Sequence, residues 1–310
     1  MDTRLQPKIT AMAQSNFIAR VHMPKDNNES ASETADSSSS AAIGNASSGL
    51  SVPDPLDLPS LKGKVSDVEW QIRCDLAATY RLVAMYGWDD MIFTHISARL
   101  PDEDGKERFL LNPYGVLFEE VTASSLLVVD TDGNLVRETP YLCNAAGFTI
   151  HSALHMARED VHCILHLHTA HGIAVAAQEG GLKRYTQLAM GVHDDLAYHD
   201  YEGIALDLSE RERLVRDLGK HCFMLLKNHG TLTTGTNCGT AFMRMYFLER
   251  ACEAQIYALS GTRPPLEASA EMGARVLQQN APAFIQGLGD ALAWPGLLRK
   301  LNRTNPGFDV

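Results

Sequence analysis

The stretch Cys163–Gly172 reads CILHLHTAHG and places two histidines, His166 and His168, at the end of an apolar run. Side chains at positions i and i+2 of a β-strand point to the same face, so these imidazoles lie side by side. That separation suits one divalent metal ion, although it also fits two histidines that bind only water or backbone. The stretch predicts a buried strand followed by a helix, with a candidate metal site at their junction.

A second segment of the chain has the same design. The apolar run Cys222–Lys227 is followed by Asn228, His229 and Gly230. A histidine stands where the chain leaves a buried strand, and the glycine after it lets another backbone approach closely. If the two strands are neighbours, His229 joins the first pair. Three histidines with one open coordination position are typical of catalytic zinc, because structural zinc sites are closed by four protein ligands.

Outward from these stretches, helical and strand patterns alternate, with several hairpin-type links. This predicts an α/β protein with a mainly antiparallel central sheet covered by helices on both faces. The predicted helices are Val65–Tyr86, Asn144–Glu159, Ala170–Gln178, Ser209–Gly219 and Thr240–Ser260, and the predicted strands are Ile92–Leu100, Arg108–Asn112, Leu126–Asp130, Val161–Leu167 and Cys222–Lys227.

Composition divides the chain into three parts. Residues 1–60 include a Ser-rich segment with almost no large apolar side chains, which predicts a disordered N-terminal tail. The folded domain is expected at residues 61–262. Residues 263–310 are expected to form a helical or irregular C-terminal tail, broken at the Trp-Pro-Gly sequence that begins at Trp294.

Charge and cysteine content restrict the classes of partner and compartment. The 310 residues carry a formal net charge of -11, which disfavours nucleic acid and anionic membrane surfaces as partners. No window approaches 18 consecutive apolar residues, so no membrane span is predicted. The six cysteines are scattered without a C-x-x-C pair, which indicates free thiols and a cytoplasmic location.

Two further histidines, His151 and His155, are four residues apart on a predicted helix, a spacing that also chelates metal. Ser152 stands where the helix of a zinc protease carries its glutamate, which argues against protease chemistry. His151 is expected to face the site and to contact substrate, whereas His155 is expected at the surface.

The chain resembles the class II aldolase/adducin family in seven motifs between residues 61 and 261. In order, they are FTHISARL, FLLNPYG, LFEEVTASSLLVVDTDGN, FTIHSALHMARED, CILHLHTAHGIAVAAQEGGL, AYHDYEG and LLKNHGTLTTG. The resemblance implies a three-layer α/β/α sandwich, usually a homotetramer with sites near subunit interfaces. It also implies that His166, His168 and His229 hold a divalent metal, usually zinc, with iron or manganese as alternatives.

The chain departs from the family's sugar-phosphate aldolases at positions that matter for catalysis. Gly147 stands where those enzymes have a catalytic glutamate, and Ala145 and Ala146 stand where two serines help to hold the substrate phosphate. Thr94 and His95 replace a Gly-Asn pair that also binds phosphate there. The chain therefore resembles the adducin-like branch that lacks the aldolase glutamate.

The remaining chemistry must come from other side chains. His95 is the first candidate for an acid, base or substrate-binding group, because it replaces a pocket residue at the mouth of a strand. Tyr198, in the AYHDY sequence, is a second catalytic candidate that can donate its hydroxyl from a neighbouring subunit. The residues assigned to substrate binding are His151, Asn112, Tyr114 and Gly115.

Three functions compete at this point. The first is a metal-dependent lyase that performs aldol cleavage or decarboxylation on a small, non-phosphorylated hydroxy- or keto-acid. The second is a non-haem iron oxygenase, because relatives with a similar N-A-A-x-F-x-I-H sequence act on aromatic acids. The third is an adducin-like, non-enzymatic interaction module, which residues 263–310 do not favour because they contain no lysine-rich run.

Overall fold

The computed structural model describes residues 52–103, 105–203, 209–280 and 287–310. Most of the predicted disordered tail, residues 1–51, lies outside this described part of the chain. Within it, no helix combines the length and apolarity needed to cross a bilayer.

Seven strands and eight α-helices make up the described domain, and most lie within a few residues of their predicted positions. The strands are β1 (His95–Arg99), β2 (Arg108–Leu111), β3 (Leu127–Asp130), β4 (Cys163–Leu167), β5 (Leu196–His199), β6 (Phe223–Leu226) and β7 (Gly230–Gly235). The helices are α1 (Asp67–Met85), α2 (Ala145–Ala157), α3 (Ala170–Ala176), α4 (Gln187–His193), α5 (Glu210–Leu218), α6 (Cys238–Leu259), α7 (Ala270–Gln279) and α8 (Trp294–Thr304).

The strands form one sheet in the order β3-β2-β1-β4-β7-β6-β5. Every neighbouring pair is antiparallel except β5 and β6, which are parallel. Strand β7 was not predicted, yet it separates β4 from β6 and pairs with both. The mainly antiparallel sheet that the sequence predicts is confirmed, and the two histidine-bearing strands are joined through β7 rather than directly.

Helices cover both faces of this sheet. On one face, α1, α6 and α8 pack on Ile96, Cys163 and Leu165. On the other face, α2 and α5 pack on Ile164 and Leu232 and on further apolar residues of β5 and β6. Successive strand residues alternate between these two clusters, as the geometry of a strand requires. The predicted three-layer α/β/α arrangement is therefore present.

Two predicted boundaries need correction. Residues 52–60 were assigned to the disordered tail, but Pro55 is buried, Leu58 packs on the core, and the Tyr141 hydroxyl donates to the Pro53 carbonyl at 3.1 Å. The Trp-Pro-Gly sequence does not break the C-terminal region: Trp294 begins α8, and the proline after it occupies the first turn, where its missing N–H costs nothing.

These contacts predict different effects for two N-terminal deletions. Removal of residues 1–51 should leave the melting temperature nearly unchanged, because their composition cannot support a core. Removal of residues 1–60 should lower it, since the deletion also takes Pro55 and Leu58 away from the domain. Calorimetry on both truncations tests this. A large drop with the shorter deletion would contradict the expectation.

Candidate metal centre

His166, His168 and His229 come together at one end of the sheet. Each residue offers one ring nitrogen, and these three atoms lie within 4.8 Å of one another. The ring centroids are 5.1 Å apart for His166 and His168, 4.7 Å for His166 and His229, and 4.9 Å for His168 and His229. Three nitrogens bound to one ion at about 2.0–2.1 Å are separated by distances below 4.8 Å, so the cluster matches a mononuclear site.

The turn between β6 and β7 brings His229 to the other two histidines. Asn228 has a φ of 57°, in the left-handed region that asparagine tolerates better than most residues. Gly230 follows, and a Cβ there would lie 2.5 Å from the Leu167 carbonyl oxygen and 3.2 Å from Cε1 of His166. The glycine therefore lets the turn approach the end of β4, as the sequence indicates.

Hydrogen bonds orient two of the three rings. His166 Nδ1 lies 3.0 Å from the Thr231 carbonyl oxygen, and His168 Nδ1 lies 3.0 Å from Oδ2 of Asp90. Because a carbonyl and a carboxylate only accept, each Nδ1 carries the proton and each Nε2 keeps its lone pair. Metal-binding histidines are held in this way by carboxylates and carbonyls.

The donor set fits a divalent metal. Nε2 of His168 is buried and has no hydrogen-bond partner among the described residues, which is costly unless something else binds it. Burial lowers the pKa of His166 well below its usual value and lowers that of His229 to about 4. Neutral imidazole is the form that coordinates metal, so these residues are in the state that binding needs.

Replacement of Asp90 tests whether this carboxylate raises metal affinity by orienting the ring of His168, without itself binding the metal. Its carboxylate fixes the ring of His168, so Asp90→Ala should lower metal affinity about 10–100-fold, the usual effect of losing such a partner. The adjacent Asp89→Ala is the matched control and should change little. Metal titration against a competing chelator measures both affinities. Equal affinity in wild type and Asp90→Ala would contradict the role given to this carboxylate.

A second set of polar side chains lies between the sheet and α2. Nδ1 of His95 is 2.7 Å from Nε2 of His151, and Ser97 Oγ contacts Nδ1 of His151 and lies 2.7 Å from Nε2 of His155. The ring of His95 also lies 5.0 Å from that of His166, centroid to centroid. His95 and His151 are thus brought beside the candidate metal centre. The expectation that His155 is a surface residue is wrong, because His155 is fully buried and stacks on Phe109.

His95 occupies the space beside Gly147, the position where the resemblance to sugar-phosphate aldolases implies a glutamate. A Cβ on Gly147 would lie 2.9 Å from both Cγ and Cδ2 of His95, closer than such atoms approach in proteins. Any larger residue at position 147 would therefore require the imidazole to move. Gly147 and His95 are therefore coupled through packing.

The predicted substrate residues of the NPYG sequence are placed differently from one another. Asn112 is buried beside Tyr80, and its Nδ2 has no hydrogen-bond partner among the described residues. Tyr114 donates its backbone N–H to the Leu142 carbonyl, and Gly115 packs near Val52. Asn112 thus has an unpaired amide donor among the described residues, whereas Tyr114 and Gly115 contact Leu142 and Val52.

Tyr198 does not reach the histidine cluster of its own chain. It packs with the apolar residues on the α6 face of the sheet, and its hydroxyl accepts a hydrogen bond of 3.0 Å from the Leu182 N–H. Tyr201 is the tyrosine near the site, with its ring 6.2 Å from that of His229 and its side chain exposed. The prediction that Tyr198 donates its hydroxyl to the site of a neighbouring subunit stays a prediction, because these contacts are all within one chain.

The fold and the three-histidine cluster together define a class II aldolase-type domain. The profile of the Class II Aldolase and Adducin N-terminal domain matches residues 74–256, which is more than half of the chain. The protein belongs to the class II aldolase and adducin family.

Known relatives lie on both the bacterial and the adducin side of this family. A Caulobacter vibrioides protein whose name assigns it to aldolase class 2 is 54% identical over 249 residues, or 80% of this chain and 96% of that one. Alpha-adducin of Mus musculus is 42% identical over 197 residues, which are 63% of this chain but 26% of adducin. The crystal structure of an aldolase II superfamily protein from Pseudomonas syringae superposes with a TM-score of 0.74 at 44% identity, covering 81% of this chain and 100% of that one.

Proposed function

We propose that this protein is a metal-dependent lyase that acts on a small, non-phosphorylated hydroxy- or keto-acid by aldol cleavage or decarboxylation. The observation that carries the proposal is the cluster of one ring nitrogen each from His166, His168 and His229 within 4.8 Å of one another, together with the buried, unpartnered Nε2 of His168. A buried polar atom of this kind needs a partner, and a cation satisfies all three nitrogens at once.

In this proposal His166, His168 and His229 hold the ion, with zinc as the first choice. A bound divalent ion supplies Lewis-acid polarisation of a carbonyl or hydroxy-carboxylate. Three neutral ligands support this chemistry, because they leave most of the ionic charge for the substrate. A small carboxylate with an adjacent oxygen satisfies such an ion without the several donors that a phosphate needs.

His95 is the proposed acid–base group, since it lies against His166 and occupies the space next to Gly147. His151 forms a hydrogen bond with Nδ1 of His95. We therefore assign His151 a positioning role in place of the substrate contact expected from the sequence. Asn112 is the proposed substrate donor, because its buried Nδ2 has no protein partner in the described residues.

An adducin-like interaction module is the second candidate, and the 42% identity with alpha-adducin favours it. A pure scaffold has no need for three clustered imidazoles, two of which are oriented by hydrogen bonds. The matching region nevertheless spans only 26% of adducin, so that whole protein's interactions do not transfer to this chain by similarity alone.

Metal analysis of protein purified without added metal separates the candidate functions. The lyase proposal predicts about one zinc or manganese per chain, and the same preparation should cleave or decarboxylate at least one unphosphorylated acid. Iron at that stoichiometry would favour an oxygenase instead. Protein that contains no metal and takes up none from solution would contradict the proposal and favour the scaffold.

We also propose a homotetramer located in the cytoplasm. Oligomers are common among the aldolases that this chain resembles, and the exposed Tyr201 beside His229 offers a surface where a second subunit can complete the site. The six cysteines are all unpaired, which suits a reducing compartment. Sedimentation analysis of the purified protein tests the assembly, and a monomer at micromolar concentration would contradict it.

A further inference from the structure

Ser97 lies at the centre of a buried chain of hydrogen bonds that crosses from β1 to α2. It contacts His151 on one side and His155 on the other, and His151 continues to His95. At the far end, Nδ1 of His155 lies 3.2 Å from the Val161 carbonyl oxygen. All four side chains are almost completely buried, so bulk water does not compete for these bonds.

The Val161 carbonyl sets the direction of the whole chain, because a carbonyl oxygen only accepts. His155 is neutral, since burial lowers its pKa to about 3. Its single ring proton must then lie on Nδ1, which donates to Val161. Nε2 of His155 is left as an acceptor, so the hydroxyl of Ser97 must donate to it.

The hydrogen bonds continue in the same direction from Ser97 toward the candidate metal centre. The hydroxyl of Ser97 has one proton, which it donates to His155. Its oxygen therefore accepts a hydrogen bond from Nδ1–H of His151. Burial also lowers the pKa of His151 well below its usual value, so this imidazole is neutral and its Nε2 carries a lone pair. That lone pair accepts from Nδ1–H of His95. Every bond in the chain therefore points in one direction.

We infer that Ser97, His151 and His155 are positioning residues that fix the tautomer of His95, with Nδ1 protonated and Nε2 left as a proton acceptor beside the metal-binding histidines. This inference deepens the proposed lyase and rests on it only for the chemical use of that nitrogen. Gly147 completes the arrangement, because the absence of a side chain there lets the ring occupy this place.

An aldol cleavage needs an acceptor of this kind. The base takes the proton from the substrate hydroxyl, the O–H electron pair forms the new carbonyl, and the C–C bond breaks. The electrons of that bond become an enolate, which the same proton later quenches at carbon. No oxidant or reductant is consumed. A histidine fixed with Nε2 protonated could not begin this sequence, so the buried chain selects the tautomer that cleavage requires.

Nitrogen-15 solid-state NMR on the full chain, labelled at histidine and loaded with zinc, tests the inference. Wild type should show His95, His151 and His155 each in a single form with the proton on Nδ1. Ser97→Ala should remove the single form at His95 and His151 and give mixed tautomers, because their chain no longer has a fixed end. Ser97→Thr keeps the hydroxyl and should restore the wild-type pattern.

The matched control is Ser152→Ala. Ser152 is a buried serine on α2 that bonds to Phe148 and Arg211 and takes no part in the chain. Its replacement should leave the three histidine signals unchanged. A wild-type His95 with the proton on Nε2 would overturn the inference, as would a Ser97→Ala spectrum identical to that of wild type. Metal content is measured on the same samples. The expected tautomers in protein that binds no zinc would contradict the lyase proposal but would still support the hydrogen-bonded chain.

Discussion

Each of the single substitutions His166→Ala, His168→Ala and His229→Ala should remove most of the bound metal. Structural sites with four ligands bind zinc with a free energy of about 10–16 kcal/mol, so one ligand contributes roughly a quarter of that binding free energy. A loss of this size weakens binding roughly a hundredfold to a thousandfold. Elemental analysis after dialysis against a weak chelator should find the metal retained by wild type and lost by all three variants.

His162→Ala is the matched control for these variants. It is an exposed histidine four positions before His166, and its backbone N–H, which bonds to the Gly235 carbonyl, is unaffected by the change. We expect wild-type metal content in this variant. If any of the three cluster variants also kept a full equivalent of metal, that residue would not be a ligand, and the assignment of the site would be wrong.

Fuculose phosphate and ribulose phosphate should be cleaved at less than about 1 per second, the low end of ordinary enzyme turnover. Residues 145 and 146 are alanines without hydroxyls, and a phosphate dianion buried without donors costs several kcal/mol. Loss of a general base alone costs about two to four orders of magnitude in rate. A panel of sugar phosphates and unphosphorylated hydroxy- and keto-acids on the metal-loaded protein makes the comparison.

Restoring the missing carboxylate should not restore sugar-phosphate cleavage. In Gly147→Glu the new Cβ would meet His95 at 2.9 Å, so the imidazole must leave its place before the glutamate can enter. We expect this variant to lose activity on acids and to gain none on sugar phosphates. Efficient cleavage of any sugar phosphate by wild type, above about 1 per second, would refute the substrate class proposed here.

The candidate ligands could be found from the sequence because each follows a continuous apolar run. Strand alternation aligns His166 with His168, and the turn after β6 places His229. Their convergence could not be found from the sequence, because it depends on β7. That strand reads GTLTTG, with no apolar run or clear alternation to mark it, and it is stabilised by pairing on both sides. Tertiary pairing outweighed local preference there.

The side chains that hold the histidines of the site in place could not be found from local sequence patterns, for a different reason. Asp90, Ser97 and His155 act through contacts with residues more than fifty positions away in the sequence. Periodicity indicates which face of a helix is apolar, but every residue of α2 from Gly147 to His155 is buried, whichever face it lies on. The start of α8 was, by contrast, available from the sequence, because proline in the first helical turn is a recognised signal.

X-ray absorption at the metal edge of the zinc-loaded protein identifies the atoms bound to the ion and their distances. The cluster predicts three imidazole nitrogens at about 2.0–2.1 Å from one ion, with the multiple-scattering pattern of histidine rings, and a fourth, lighter-atom ligand from solvent. The same spectrum on His229→Ala should lose one imidazole or the metal altogether. A wild-type spectrum dominated by sulfur at about 2.3 Å, or by oxygen with fewer than two imidazoles, would contradict a metal centre at His166, His168 and His229.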